Sequence, residues 1–265
     1  MPRPLVLKLI NLLTLVVVIA LNGLAATGTI SGDSIGVLAN RYRSLFLPAN
    51  RVFGIWSLIY LGLITCAAYQ WVPVAGARRA VERLGWWWLV AGVLNVAWIT
   101  LFSFSHFALA LLVMLAFLAA LIITGERLRT PPFAPTWHER LAVIWPFDLY
   151  LAWISVAVIS NSFQYAHVVG FGGLGLSEVA WSQIMMTVAT VLGVVMAWSR
   201  GMWLFPLVVA WALHGIGTRY ADRPPIADTA QLLVLVGLAL GTVGWLLGVR
   251  RGAATPQSPS TASMT

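Results

Sequence analysis

Charge is what this chain of 265 residues has least of: only 9% of it is Asp, Glu, Lys or Arg, against 60% hydrophobic residues. That shortage excludes an ordinary soluble domain, in which about a quarter of the residues carry charge. One cysteine, Cys66, excludes an intrachain disulfide. One lysine, Lys8 at the start of the first apolar run, excludes a retinal Schiff base inside a later helix. No HExxH, CxxC or Walker sequence is present. "GFGGLG" (170–175) follows an apolar helix rather than a strand, so it lacks the frame that presents amides to a pyrophosphate and reads as a flexible loop. The segments between apolar runs are too short for a soluble catalytic domain, and the chain is not expected to be an enzyme.

What is abundant is apolar length. A bilayer core about 30 Å thick needs about 20 apolar residues per helix. Eight stretches qualify, at about 5–26, 52–72, 86–104, 107–124, 141–163, 179–198, 202–219 and 229–249. "SFSH" (103–106) and "SRG" (199–201) are breaks short enough for helical hairpins. The expected class is all-α, a polytopic membrane bundle of about eight helices. "LNGLAATG" offers small residues at a plausible cleavage point, yet the short basic flank and long apolar run favour a retained first helix. The Ser/Thr/Pro-rich segment 252–265 reads as a disordered tail.

The net charge of +8 is distributed by side. With eight spans, Arg3, Lys8, Arg78, Arg79, Arg83, Arg127, Arg129, Arg140, Arg200, Arg250 and Arg251 share one face, and Arg41, Arg43, Arg51, Arg219 and Arg223 the other. The positive-inside rule then places both termini in the cytoplasm, with the cations against anionic lipid rather than nucleic acid. Fifteen arginines against one lysine point to a GC-rich bacterial genome, hence a bacterial inner membrane.

Polar groups at membrane depth are costly and mark sites or helix contacts. Asp148 lies seven residues into the fifth run, roughly 10 Å deep. It reads either as a carboxylate reaching back to Arg127 or Arg129, or as a proton-coupling site. Asn95 and Asn161 read as ligand contacts or as bonds between helices.

The fourteen tryptophans divide by place. Trp71, Trp86, Trp87, Trp181, Trp198 and Trp245 end spans and suit headgroup-level anchoring. Trp56, Trp98, Trp153 and Trp211 sit within spans. Trp56 and Tyr60 are i,i+4, and Asn95 and Trp98 are i,i+3. Trp153, Ala157 and Asn161 form an i,i+4,i+8 stripe. At ~1.5 Å per residue all six of the aromatic and amide residues fall in the outer half of the membrane, beneath the segment 27–51. Small Ala157 leaves a hollow between an aromatic ring and an amide. The set reads as an aromatic cleft for a flat, mostly apolar ligand, or as a packed aromatic core.

These residues also resemble a known family. "FGIWSLIY" (53–60) is similar to the second-helix motif of the TspO/MBR family, the tryptophan-rich sensory proteins related to the mitochondrial translocator protein. "LNVAW" (94–98) with Phe102 resembles that family's third-helix motif. "YLAWISVAVISN" (150–161) resembles its fifth-helix motif, with Tyr150, Trp153, Ala157 and Asn161 on the matching positions. The resemblance covers roughly residues 1–165, a five-helix unit, and leaves 166–251 as a three-helix extension. It implies a binding protein rather than a catalyst, without a required cofactor and with a porphyrin or related tetrapyrrole as ligand. Sensing or membrane handling would be its role, and a homodimer is among the partners it suggests. Ligand contact is implied from Trp56, Tyr60, Asn95, Trp98, Tyr150, Trp153, Ala157 and Asn161. The sequence departs from the family pattern at Ala91, where a glutamine is usual, and at Leu149, where proline is usual. Tyr165 is followed by no nearby Lys or Arg, so the cholesterol-recognition pattern has no counterpart. The alternative to ligand binding is a proton-coupled transporter using Asp148.

Overall fold

The computed structural model describes residues 3–42, 44–131 and 134–253. The stretch expected to be a disordered tail lies outside the described residues from 254 onward. Regular structure among the described residues is helical throughout, because each apolar run must satisfy its own backbone groups away from water. α1 (Arg3–Ala26) leads into the short α2 (Ile35–Arg41), and a 3-10 turn (Asn50–Gly54) runs into α3 (Ile55–Tyr69). α4 (Ala75–Leu84), α5 (Trp87–Ser103) and α6 (Phe107–Arg129) follow. α7 (Trp137–Glu139) passes through a π-helical turn (Arg140–Ile144) into α8 (Trp145–Val168). α9 (Glu178–Arg200), α10 (Leu204–Arg219) and α11 (Pro224–Ala253) complete the chain.

All eight expected runs are helical, but they are not equal. Six are long and apolar enough to cross a membrane by themselves: α1, α3 with its preceding turn, α6, α8 with α7, α9 and α11. α5 has 17 residues and qualifies only together with α4, to which it is joined at a 54° bend. α10 has 16 residues, about 24 Å of helix, which is shorter than a bilayer core. The two expected hairpins are present, since α5 packs on α6 and α9 on α10. Gly201, at φ 67°, closes α9 in the left-handed conformation that lets the chain reverse there.

α8 is the axis of the bundle. Nine consecutive residues, Pro146 to Ile154, are buried, and a helix covered on every side must be enclosed by neighbours. α3, α6, α9 and α10 surround it. Close approach depends on small residues, as expected where lipid is as apolar as the side chains. A Cβ on Gly92 of α5 would stand 2.2 Å from Thr14 Cγ2 of α1, and one on Gly244 of α11 would stand 1.6 Å from the Trp198 ring of α9. One apolar core runs from Leu15 on α1 to Ala230 on α11, so α9–α11 join the same interior as the first helices.

The two ends of the bundle differ. At one, arginines are tied into the loops: Arg83 donates to Thr130 O at 2.6 Å, Arg127 to Arg83 O at 2.8 Å, and Arg79 pairs with Glu139 at 3.0 Å. At the other, residues 27–54 form a cap. Its Leu38, Phe46 and Val52 are almost wholly buried, and Phe46 stacks on Phe163 of α8. The cap is held largely by α10. Ala49 N–H donates to Gly215 O, Arg219 to Pro48 O, Trp211 Nε1 to Val52 O, and the Tyr220 hydroxyl to Ser44 O. Burial pushes the Tyr220 phenol above the ordinary tyrosine range, so it keeps the proton this bond needs at neutral pH.

Candidate functional site

The helix-face periodicities converge on one place. Trp56, on the first turn of α3, lies between Tyr60 and Trp98, its ring 24° and 21° from theirs at centroid distances of 5.7 and 6.1 Å. Tyr150 and Trp153 of α8 present edges to it at 5.9 and 6.3 Å. Phe53, from the last turn of the cap, meets Trp153 edge-on at 6.1 Å. Stacked and edge-to-face contacts at these distances each add about 0.5–1.5 kcal/mol beyond area burial. Three helices are thereby joined through Trp56, and the cap is joined to them through Phe53 and Trp153.

The amides do two things. Asn95, fully buried, donates to the Tyr150 hydroxyl at 2.9 Å and accepts from Asn22 Nδ2 at 2.7 Å. Asn161 accepts from Trp98 Nε1 at 3.2 Å and donates to Ala157 O at 3.0 Å. The i,i+4 relation of Ala157 and Asn161 therefore appears as a side-chain bond back onto the helix. Of the eight residues expected to contact ligand, Trp56, Tyr60, Trp98, Tyr150 and Trp153 share the ring cluster, and the other three are bonded around it. The rings touch one another directly.

Asn22 is the member of this network that the helix patterns did not single out. Its signal was available: a lone amide near the end of a long apolar run. Replacing it with leucine should cost about 0.6–1.7 kcal/mol, the span of interhelical bonds in membranes. The check is thermal unfolding in detergent. An unchanged midpoint would mean that Asn95 keeps its alignment through Tyr150 alone.

Trp153 is different from the other rings. It is 2% exposed, and its indole N–H has no hydrogen-bond partner among the described residues. An unpaired buried donor costs about 1–3 kcal/mol, and it stands here among the side chains that sequence periodicity had already brought to one cleft.

Asp148 belongs to another place on α8. Its carboxylate is paired with Arg129, one of the two arginines expected to reach it, while Arg127 turns to the Arg83 carbonyl. Trp211 and His214, one turn apart on α10, are both exposed, and the Trp211 indole serves the cap. Among the described residues no group of His, Cys, Asp and Glu is arranged to hold a metal ion.

Among protein-family models, the one described as TSPO-like protein matches residues 8–244. No curated protein and no solved structure matches the chain. The match runs beyond the five-helix resemblance, through α9 and α10 and most of α11, so the family's model takes in these last three helices as well. A chain matched over nearly its whole length, with the aromatic motifs of α3, α5 and α8 meeting in one cluster, belongs to the family of TSPO-like proteins.

Proposed function

We propose that the protein binds a flat hydrophobic ligand of the tetrapyrrole class among the rings of α3, α5 and α8, for sensing or handling that ligand in the membrane. The observation that carries the reading is the unpartnered Trp153 N–H within a cluster of stacked and edge-on rings beneath a closing cap. A tetrapyrrole supplies what these groups take: an extended π-face for Trp56 and Trp98, and polar edge groups for Trp153, Asn95 and Asn161. Access requires the rings to part. Trp56 is half-buried and follows directly on the 3-10 turn that ends the cap, so lifting the cap moves the ring that joins the cluster. Membership in a TSPO-like family fits binding rather than catalysis, and no catalytic step is assigned. Eleven cations against five support cytoplasmic termini, and fifteen arginines against one lysine support a bacterial inner membrane.

The test is a titration of purified, detergent-solubilised protein with protoporphyrin, followed by tryptophan fluorescence and porphyrin absorbance. Wild type should bind saturably in the micromolar range. A folded Trp98→Ala, Trp153→Ala variant should lose about tenfold or more in affinity. Equal or non-saturable binding by both proteins would sink the reading. Asp148→Asn separates the alternative: a proton-coupled transporter loses uptake into vesicles, whereas tetrapyrrole affinity stays within about twofold because Asp148 is bound to Arg129 rather than to the cluster.

A further inference from the structure

α8 and α9 flank a second feature at the capped end, an open cavity of about 770 Å³. Its size is that of a small-molecule site, for which about 300–1,000 Å³ is usual. None of the clustered rings lines it. The α8 residues that do, from Val158 to His167, lie beyond Trp153 toward the end of the helix. The "GFGGLG" segment supplies one wall, which gives that motif a place quite different from nucleotide binding. Gly170, Gly173 and Gly175 have φ of 65°, 71° and 84°, values that side-chain-bearing residues rarely adopt, and the loop is pinned where Trp181 Nε1 donates to Gly173 O at 2.7 Å.

The lining is mostly apolar, with Ser162 and His167 on the α8 side and a second polar group where the cap meets α9. Glu178 Oε1 accepts the Leu45 N–H at 2.8 Å, and no cation pairs with this carboxylate among the described residues. Ser44, 3% exposed, lines the same cavity, and its hydroxyl has no hydrogen-bond partner among the described residues. Trp181 adds aromatic surface, with Phe171 edge-on to it. A carboxylate with no ion pair among the described residues, a hydroxyl and an indole are groups that can receive an ammonium: a charge partner, a hydrogen-bond acceptor and a π-face.

We propose that this cavity binds a lipophilic amine, its hydrocarbon body against Val158, Phe163 and Met185 and its ammonium at Glu178, Ser44 and Trp181. An anionic amphiphile meets Glu178 repulsively, and a purely apolar guest leaves the Ser44 hydroxyl without a partner. The site is independent of the tetrapyrrole reading, since it shares neither rings nor amides with the cluster.

The test uses the full chain in nanodiscs of neutral phosphatidylcholine, with a long-chain diamine dansylated at one end as probe and its N-acetylated form as control, read by fluorescence anisotropy. Wild type should bind the amine saturably, with the neutral control about tenfold or more weaker. Glu178→Gln, which keeps an oxygen for the Leu45 N–H, should erase that preference. Ala166→Phe, which places a ring in the cavity, should weaken saturable binding about tenfold or more, while protoporphyrin binding by both variants stays as in wild type. Equal affinity for amine and control in wild type would overturn the proposal and leave a site for neutral lipid. Amine binding unchanged in Ala166→Phe would overturn it too, by placing the probe elsewhere. Loss of protoporphyrin binding in Ala166→Phe would refute the separateness of the two sites. A wild type that binds the amine but no protoporphyrin would sustain this site and sink the tetrapyrrole reading alone.

Discussion

Replacing Arg129 with methionine is expected to destabilise the bundle by about 3–5 kcal/mol, the usual cost of leaving one member of a buried ion pair alone. The side chain of Asp148 is 3% exposed and that of Arg129 is 19% exposed, so water cannot take over the lost partner. The pair joins the end of α6 to the first turn of the central helix, and α8 contacts most of the bundle, so the loss is not confined to one loop. Unfolding by sodium dodecyl sulfate, followed by helical circular dichroism, would show the transition at markedly lower denaturant. The double variant Arg129→Met, Asp148→Leu should recover most of the loss, because an apolar pair can replace a buried ion pair at little cost. Arg127→Met is the control. Arg127 bonds a carbonyl on the exposed side of the bundle, so the change should cost less than about 1 kcal/mol. If the Arg127 and Arg129 variants unfold alike, the Asp148 pair is not what anchors α8.

Gly215→Val is expected to loosen the cap while leaving the helices formed. A Cβ at this position would lie 2.1 Å from Val52 Cγ2 and 3.2 Å from Pro48 Cβ. Neither neighbour yields easily, since valine is stiff at χ1 and proline is a ring. Overpacking of this kind typically costs about 1–3 kcal/mol. Here the strain falls on the bond from Ala49 N–H to Gly215 O and on the nearby Trp211 bond to Val52 O. The cap should open more often, and limited proteolysis within residues 27–51 should accelerate several-fold with helical circular dichroism unchanged. Because Phe53 and Trp56 continue directly from the cap, protoporphyrin on- and off-rates should both rise. A variant as resistant to proteolysis as wild type would show that α10 does not hold the cap.

These two positions also show where sequence reading reaches its limit. The pairing of Asp148 with an arginine at the end of α6 was legible, because a carboxylate at that depth has few cations within reach. The choice of Arg129 over Arg127 was not, since residues two apart on a helix point to opposite sides and only the packed neighbour decides. Gly215 carried no signal at all. Its importance comes from Val52 and Pro48, residues far away in the chain that press on it.

The sequence by itself determined the class, the places of the eight helical runs, and the grouping of Trp56 with Tyr60, Asn95 with Trp98, and Trp153 with Asn161. Those follow from apolar length and from helical spacing, which are local properties. It took all eight runs as long enough to cross a membrane, whereas structure shortens α10 to 16 residues and couples α5 to α4 across a bend. Tertiary structure alone decided that the rings close upon one another around Trp56, that Asn22 joins Asn95 and Tyr150, that α10 fastens the cap, and that α8 and α9 flank a cavity beside the glycine loop. The physical reason is the membrane itself. In water, a polar face tells which side of a helix is outside. Here lipid and protein interior are equally apolar, so periodicity shows which residues share a face but not which neighbour that face will meet.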